Sequence, residues 1–136
     1  MKKTILSLLV LSTIVYSCKK DKDKSTSDLI QGKWNVTTIY ENRFYSNTPH
    51  RDTATYAPGV ETIEFASGGK VYYAGVYGSG TTYRDTGVFK IDGSNLILDV
   101  QDTFKINSIS SSDMQLYSKN FYNATDYDEQ TVNLKK

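Results

Sequence analysis

Glu61-Thr62-Ile63-Glu64-Phe65-Ala66-Ser67-Gly68-Gly69-Lys70-Val71-Tyr72-Tyr73-Ala74-Gly75-Val76-Tyr77 reads as two strands and the bend between them. Polar and apolar residues alternate over residues 61–65, the period of a half-buried strand, and the paired glycines suit a tight hairpin bend. The same grammar continues in both directions. Upstream, Trp34, Val36, Thr38 and Tyr40 alternate with Lys33, Asn35, Thr37 and Ile39. Downstream, Gly78-Ser79-Gly80 turns the chain into a strand over residues 82–91, and Asp92-Gly93-Ser94-Asn95 suits a type I′ turn. Residues 96–100, 103–109, 114–118 and 130–134 read as further strands. From Leu29 onward no stretch has the period of an amphipathic helix. About eight strands joined mostly by tight turns imply an all-β antiparallel meander. Closing it as an up-and-down barrel removes the unpaired edges; a two-sheet sandwich is the alternative.

Composition bounds the rest. A chain of 136 residues is the size of one domain, and sixteen basic against fifteen acidic side chains give +1, no basic field for nucleic acid. One cysteine excludes an internal disulfide framework, and one histidine excludes a His-rich metal site. The eleven tyrosines favour strands.

The N-terminus reads as an address. Lys2 and Lys3 precede an apolar run over residues 4–16, too short for a bilayer span of about 20 residues and suited to a signal peptide. Val15-Tyr16-Ser17-Cys18 then resembles the lipobox of bacterial lipoproteins, with Tyr16 departing from the usual residue at its position. The resemblance implies cleavage after residue 17, acylation of Cys18, and lipid anchoring in the bacterial cell envelope at the outer membrane. The bilayer is then a partner through the acylated Cys18. Residues 19–27 hold no apolar side chain, so residues 18–28 are expected to be a disordered charged tether ahead of a domain over residues 29–136. Its mixed charge carries no sign for the periplasmic or the surface face.

Leu29-Ile30-Gln31-Gly32-Lys33-Trp34 resembles the opening of lipocalins, whose first strand carries Gly-x-Trp. With the lipobox, the charged tether and the meander, nearly all of the mature chain is similar to small lipocalin-like lipoproteins. The resemblance implies a barrel closed at one end, with Gly32 and Trp34 at the closure, holding a small hydrophobic or amphipathic ligand without enzymatic activity. In lipocalins an arginine from the last strand often stacks across this tryptophan. Here the last arginine is Arg84, and only Lys119, Lys135 and Lys136 follow, so that partner is missing or replaced by lysine.

The inward face, read from the alternation, comprises Ile63, Phe65, Val71, Tyr73, Phe89, Ile91, Leu96, Leu98, Phe104, Ile106 and Leu116. Phe65, Tyr73, Phe89, Leu98 and Phe104 are the candidates for lining a ligand. Two stretches break the rhythm of tight turns and read as long loops: residues 43–58, with both prolines and His50, and residues 119–128. Tyr45, Tyr56 and Tyr122 in these loops are candidate contacts for a protein or glycan, the alternative function. Asp52-Thr53-Ala54 resembles a bacterial O-glycosylation acceptor, which makes Thr53 a candidate. Asp126, Asp128 and Glu129 beside Asn123 read as a solvated acidic loop, and no metal ligand or cofactor is assigned. His50 has no cysteine nucleophile to serve, and no nucleophile elbow is present.

Overall fold

The computed structural model describes residues 24–136; the signal segment, Cys18 and the tether to residue 23 lie outside the described residues. Ser25 starts the first element. Its hydroxyl accepts from the Asp28 N–H at 3.2 Å, while Asp28 Oδ2 accepts from the Ser25 N–H at 3.2 Å. This reciprocal capping box opens the short helix α1 (Thr26–Ile30), whose Leu29 and Ile30 are buried. Residues 25–28, expected in the disordered tether, are therefore structured. Local capping and the two buried aliphatics just beyond offset the ordering entropy that their composition alone cannot.

Nine antiparallel strands follow: β1 (Gly32–Tyr45), β2 (Thr48–Thr55), β3 (Thr62–Ala66), β4 (Lys70–Val76), β5 (Thr82–Asp92), β6 (Asn95–Leu98), β7 (Asp102–Ile109), β8 (Asp113–Phe121) and β9 (Tyr127–Lys135). Each of β3 to β8 pairs with the next, and β1, paired with both β3 and β9, closes the circle. One edge of β1 pairs β3 from Gly32↔Phe65 to Asn35↔Thr62, and the other pairs β9 from Asn35↔Lys135 to Phe44↔Tyr127. Eight strands thus form a closed barrel, not a sandwich. β2 is the extra strand, laid on β1 from Thr38↔Thr55 to Tyr45↔Thr48.

Three boundaries differ from the sequence reading. Residues 43–58 are mostly a hairpin, not a loop. Its turn residues Ser46 (φ 50°) and Asn47 (φ 63°) hold the left-handed pair of a type I′ turn without glycine. Pro49, Arg51 and Asp52 look unlike a strand because β2 lies at the sheet edge, where proline and charge discourage further pairing. Half of residues 119–128 are strand, leaving residues 122–126 as the turn. β6 stops at Leu98, because Asp99 and Val100 turn the chain at φ 49° and 67°.

A bulge at Thr37 also changes the face of β1. The pairing with β9 skips one residue between Val36 and Thr38, so Ile39 follows Trp34 and Val36 onto the core while Tyr40 is exposed. A second bulge in β7, between Ile106 and Ser108, leaves Ile109 packed on the core beside Ile106.

The end of the barrel where β1 begins is filled. Gly32 enters it at φ +103°, a conformation that disfavours a side chain. Trp34 is fully buried, and its indole N–H donates to the Ile30 carbonyl at 2.7 Å, fixing α1 across the opening. Lys136 lays its ammonium 4.5 Å from the Trp34 ring centroid and donates to the Leu29 carbonyl at 2.8 Å. Of the two options for the stacking cation, the structure takes replacement by lysine. Phe65, Val71, Leu96, Leu116 and Leu134 pack above Trp34 with almost no exposure, and the Phe89 ring meets the Phe65 ring edge-on at 5.0 Å.

Trp34→Ala is expected to lower unfolding stability by about 3–5 kcal/mol, read from urea denaturation. Lys136→Met, which keeps the stem and removes the charge, is expected to cost about 1 kcal/mol. Lys136→Arg is expected to retain most of that contribution.

Candidate functional site

The turns joining β4 to β5 and β6 to β7 lie at the opposite end of the barrel, and there the packing stops. A cleft of about 570 Å³ opens between β1, the segment before β3, β4 and β5. Ile39, Tyr56, Glu61, Tyr73, Val76, Tyr77, Tyr83, Arg84 and Asp85 line it. Ile39 and Tyr73 also pack on the core, so they join the filled half to the open one.

Two glycines make room for two carboxylates at this mouth. A Cβ built on Gly75 would fall on the carboxylate of Glu61, and one on Gly87 would fall on that of Asp99. Glu61 accepts from the Tyr83 hydroxyl at 2.6 Å and, more weakly, from the Val76 N–H at 3.4 Å. Asp99 accepts from the Val88 N–H at 2.9 Å, with the Tyr73 hydroxyl at 3.5 Å. Each carboxylate therefore lies over a glycine of one strand, beside a tyrosine of the neighbouring one. Burial, then the bond to Glu61, pushes the Tyr83 phenol up to about 12. Burial raises Tyr73 far above the ordinary range, reinforced by the charges of Asp99, Asp102 and Asp85.

A second cluster sits where the β1–β2 and β8–β9 turns meet. Tyr45 and Tyr122 stack with ring centroids 5.7 Å apart, and both donate to Asp128. Phe44 stacks on Tyr127 at 5.5 Å, and the Lys119 ammonium lies 3.7 Å from the Tyr127 ring centroid. Phe121 and Tyr122 remain 65% and 60% exposed, a large fraction for aromatic side chains. Below them Glu129 accepts from Asn42 at 2.8 Å and Tyr117 at 3.2 Å, with Lys119 at 3.6 Å. The Asn42 bond, followed by those from Tyr117 and Lys119, holds Glu129 below the usual carboxylate range.

Of the five residues expected to line a ligand, only Tyr73 borders this cleft. Phe65 and Leu98 are buried in the core, with Phe89 and Phe104 packed against it. The sequence pattern identified their face correctly and missed their depth. Among the loop tyrosines, Tyr56 lines the cleft while Tyr45 and Tyr122 form the distal stack. Thr53 lies exposed on β2 opposite Tyr40, and His50 lies exposed on the same strand opposite Arg43. The acidic residues near Asn123 go to separate partners: Asp126 to Asn123 and Ser46, Asp128 to the two tyrosines, and Glu129 to Asn42. Sequence reasoning missed Glu61, Asp85 and Asp99. The available signal was Gly75 and Gly87 inside strands, where a missing side chain marks a close approach.

A family model for the lipocalin-like domain matches residues 30–116. The chain belongs to the lipocalin-like family. Solved structures agree on the lipocalin-like fold. A lipocalin-like protein from Bacteroides uniformis is 16% identical with a TM-score of 0.51, the match covering 79% of this chain and 98% of that one. Lobster apocrustacyanin A1 is 15% identical with a TM-score of 0.57, covering 82% of this chain and 62% of the other. The chain thus spans less than two thirds of the lobster protein. Among curated proteins, none matches this sequence. In this lipocalin-like barrel the closed end is built around Trp34, and the cleft occupies the opposite, open end.

Both limbs of the stability–pH curve follow from these groups. Tyr83 holds its proton more tightly folded than unfolded. Its contribution is therefore complete below about pH 10 and is lost as pH rises toward 12. Glu129, with its pKa lowered, contributes above its ordinary value of 4.5 and loses that contribution as pH falls. Urea midpoints measured across pH are expected to fall on both sides, and Glu129→Gln is expected to flatten the acid limb.

Proposed function

We propose that this protein is a lipid-anchored lipoprotein of the bacterial envelope whose barrel mouth binds a small amphipathic molecule without acting on it chemically. The observation that carries the reading is the cleft of about 570 Å³ above a packed apolar floor. A ligand's apolar part would rest against Ile39, Val76 and the Tyr73 ring, and its polar part would meet the carboxylates and phenols at the rim. Membership of the lipocalin-like family supports binding at the open end of the barrel. The lipobox-like segment ending at Cys18 supports the anchor, with the outer membrane as the proposed location. Because α1 lies across the closed end, a tether leading from Cys18 would enter there, and the mouth would face away from the bilayer.

A second reading, contact with an envelope protein or glycan, is favoured by the Tyr45–Tyr122 stack and the exposed Phe121 on the tips farthest from α1. Thr53, exposed on the edge strand, is the proposed glycan acceptor, and a hexose-sized excess on the intact mass would mark it.

Native mass spectrometry of the chain released gently from its own envelope is expected to show an excess mass that solvent extraction removes as an organic molecule. A bare polypeptide that also fails to retain added dodecyl amphiphiles would overturn ligand binding. Cys18→Ala is expected to move the protein from the membrane to the soluble fraction. Retention in the membrane would overturn the anchor.

A further inference from the structure

Building on the reading of the mouth as an amphiphile site, we propose that its ligand carries a cationic head, an amine or quaternary ammonium, held by Glu61 and Asp85 among the mouth tyrosines. The cavity itself supplies the first argument. Tyr56, Tyr73, Tyr77 and Tyr83 border it, and the Tyr77 and Tyr83 rings lie 4.9 Å apart at a 35° tilt. Aromatic faces carry negative potential, and a group of them around one space attracts organic cations, Tyr among the better rings for it.

Charge supplies the second argument. Glu61 and Asp85 line the cleft, and Asp99 sits on its Tyr73 side. The ion pairs among the described residues join Arg43 to Glu41, Lys119 to Glu129 and Lys135 to Asp113, so none neutralises a mouth carboxylate. Arg84 is the cation in the lining. Arg84, Asp85 and Tyr73 also border the outer-face cleft with Lys33, Glu64 and Tyr72, so all three stand at the rim between two surfaces. Tyr83 and the Val76 N–H occupy one acceptor site on each Glu61 oxygen, leaving lone pairs for a further donor.

The third argument is what the fold forgoes. Gly75 and Gly87 surrender side chains on the wall so that Glu61 and Asp99 can lie against it. A cup for a purely apolar or anionic ligand would fill those positions with aliphatic groups. The half-buried Glu61, held by hydrogen bonds from Tyr83 and the Val76 N–H, with the exposed Asp85 across the cleft, instead favours a positive head.

Isothermal titration calorimetry on the full chain carrying Cys18→Ala, which leaves no acyl chain to compete, tests the proposal. The probes are dodecyltrimethylammonium, dodecanoate and dodecyl maltoside, each below its micelle concentration. The ammonium probe is expected to bind about tenfold more tightly than dodecanoate. Asp85→Asn and Glu61→Gln are each expected to weaken ammonium binding several-fold while leaving dodecyl maltoside unchanged. Asp85 is exposed, so its variant reports on charge even if Glu61→Gln perturbs the fold. Equal binding of all three probes would overturn the cationic head and leave the amphiphile site standing. An ammonium preference that survives both substitutions would also overturn the assignment to these carboxylates. Failure of every probe to bind would overturn the amphiphile site itself.

Discussion

The buried hydrogen bond from the Trp34 indole to the Ile30 carbonyl organises the closed end of the barrel. It ties α1 to the first strand, so one short helix seals one end of the barrel. A tryptophan in that position must bury a large ring and satisfy its N–H together, and the helix carbonyl at 2.7 Å does the second. Lys136 completes the arrangement from the other terminus, bringing its ammonium over the ring and onto Leu29. Residues 107 positions apart in sequence, Leu29 and Lys136, thereby meet at one point. The seam between β1 and β9 holds together beside it.

Closing one end divides the interior. Near Trp34 the inward side chains are aliphatic or aromatic and mutually buried, through Phe65, Val71, Leu96, Leu116 and Leu134. Farther up, the inward positions of β4 and β5 change to Tyr73, Gly75, Asp85 and Gly87, and the walls hold carboxylates and phenols. β6 has four residues and stops at Leu98, which brings the Asp99 turn down to the level of Val88. The mouth is therefore wide and polar, resting on a packed apolar floor. That floor makes the cleft shallower than an empty barrel would be. A ligand would meet the tyrosines and acids at the rim before it reached aliphatic wall.

Much of the fold was legible in the sequence because hairpins announce themselves locally. Ser67-Gly68-Gly69 and Gly93-Ser94 turn the chain at glycines, and the alternation around them names the inward face. Only Gly93 of the second pair holds a positive φ, so that turn is not the type I′ turn read from Asp92-Gly93. Legibility failed where one residue changed the count. The Thr37 bulge moves Ile39 inward, and alternation alone cannot register it. It failed again where a turn used unusual residues: Ser46 and Asn47 adopt the left-handed pair without glycine, so a hairpin read as a loop. The site was less legible than the fold. Glu61 and Asp99 sit at strand ends and look like ordinary solvated acids until closure places them over Gly75 and Gly87. Depth, too, is a property of the closed barrel, which is why Phe65 and Leu98 read as cup wall and proved to be core.

On the proposed function, small amphiphiles enter at the mouth and nowhere else. Backbone amide NMR during titration with dodecylphosphocholine below its micelle concentration tests it most directly. Saturable shifts are expected at Ile39, Glu61, Val76 and Asp85, with Leu116 and Leu134 in the filled half unmoved. Shifts centred on the outer face around Lys33 and Glu64, with the mouth silent, would contradict it.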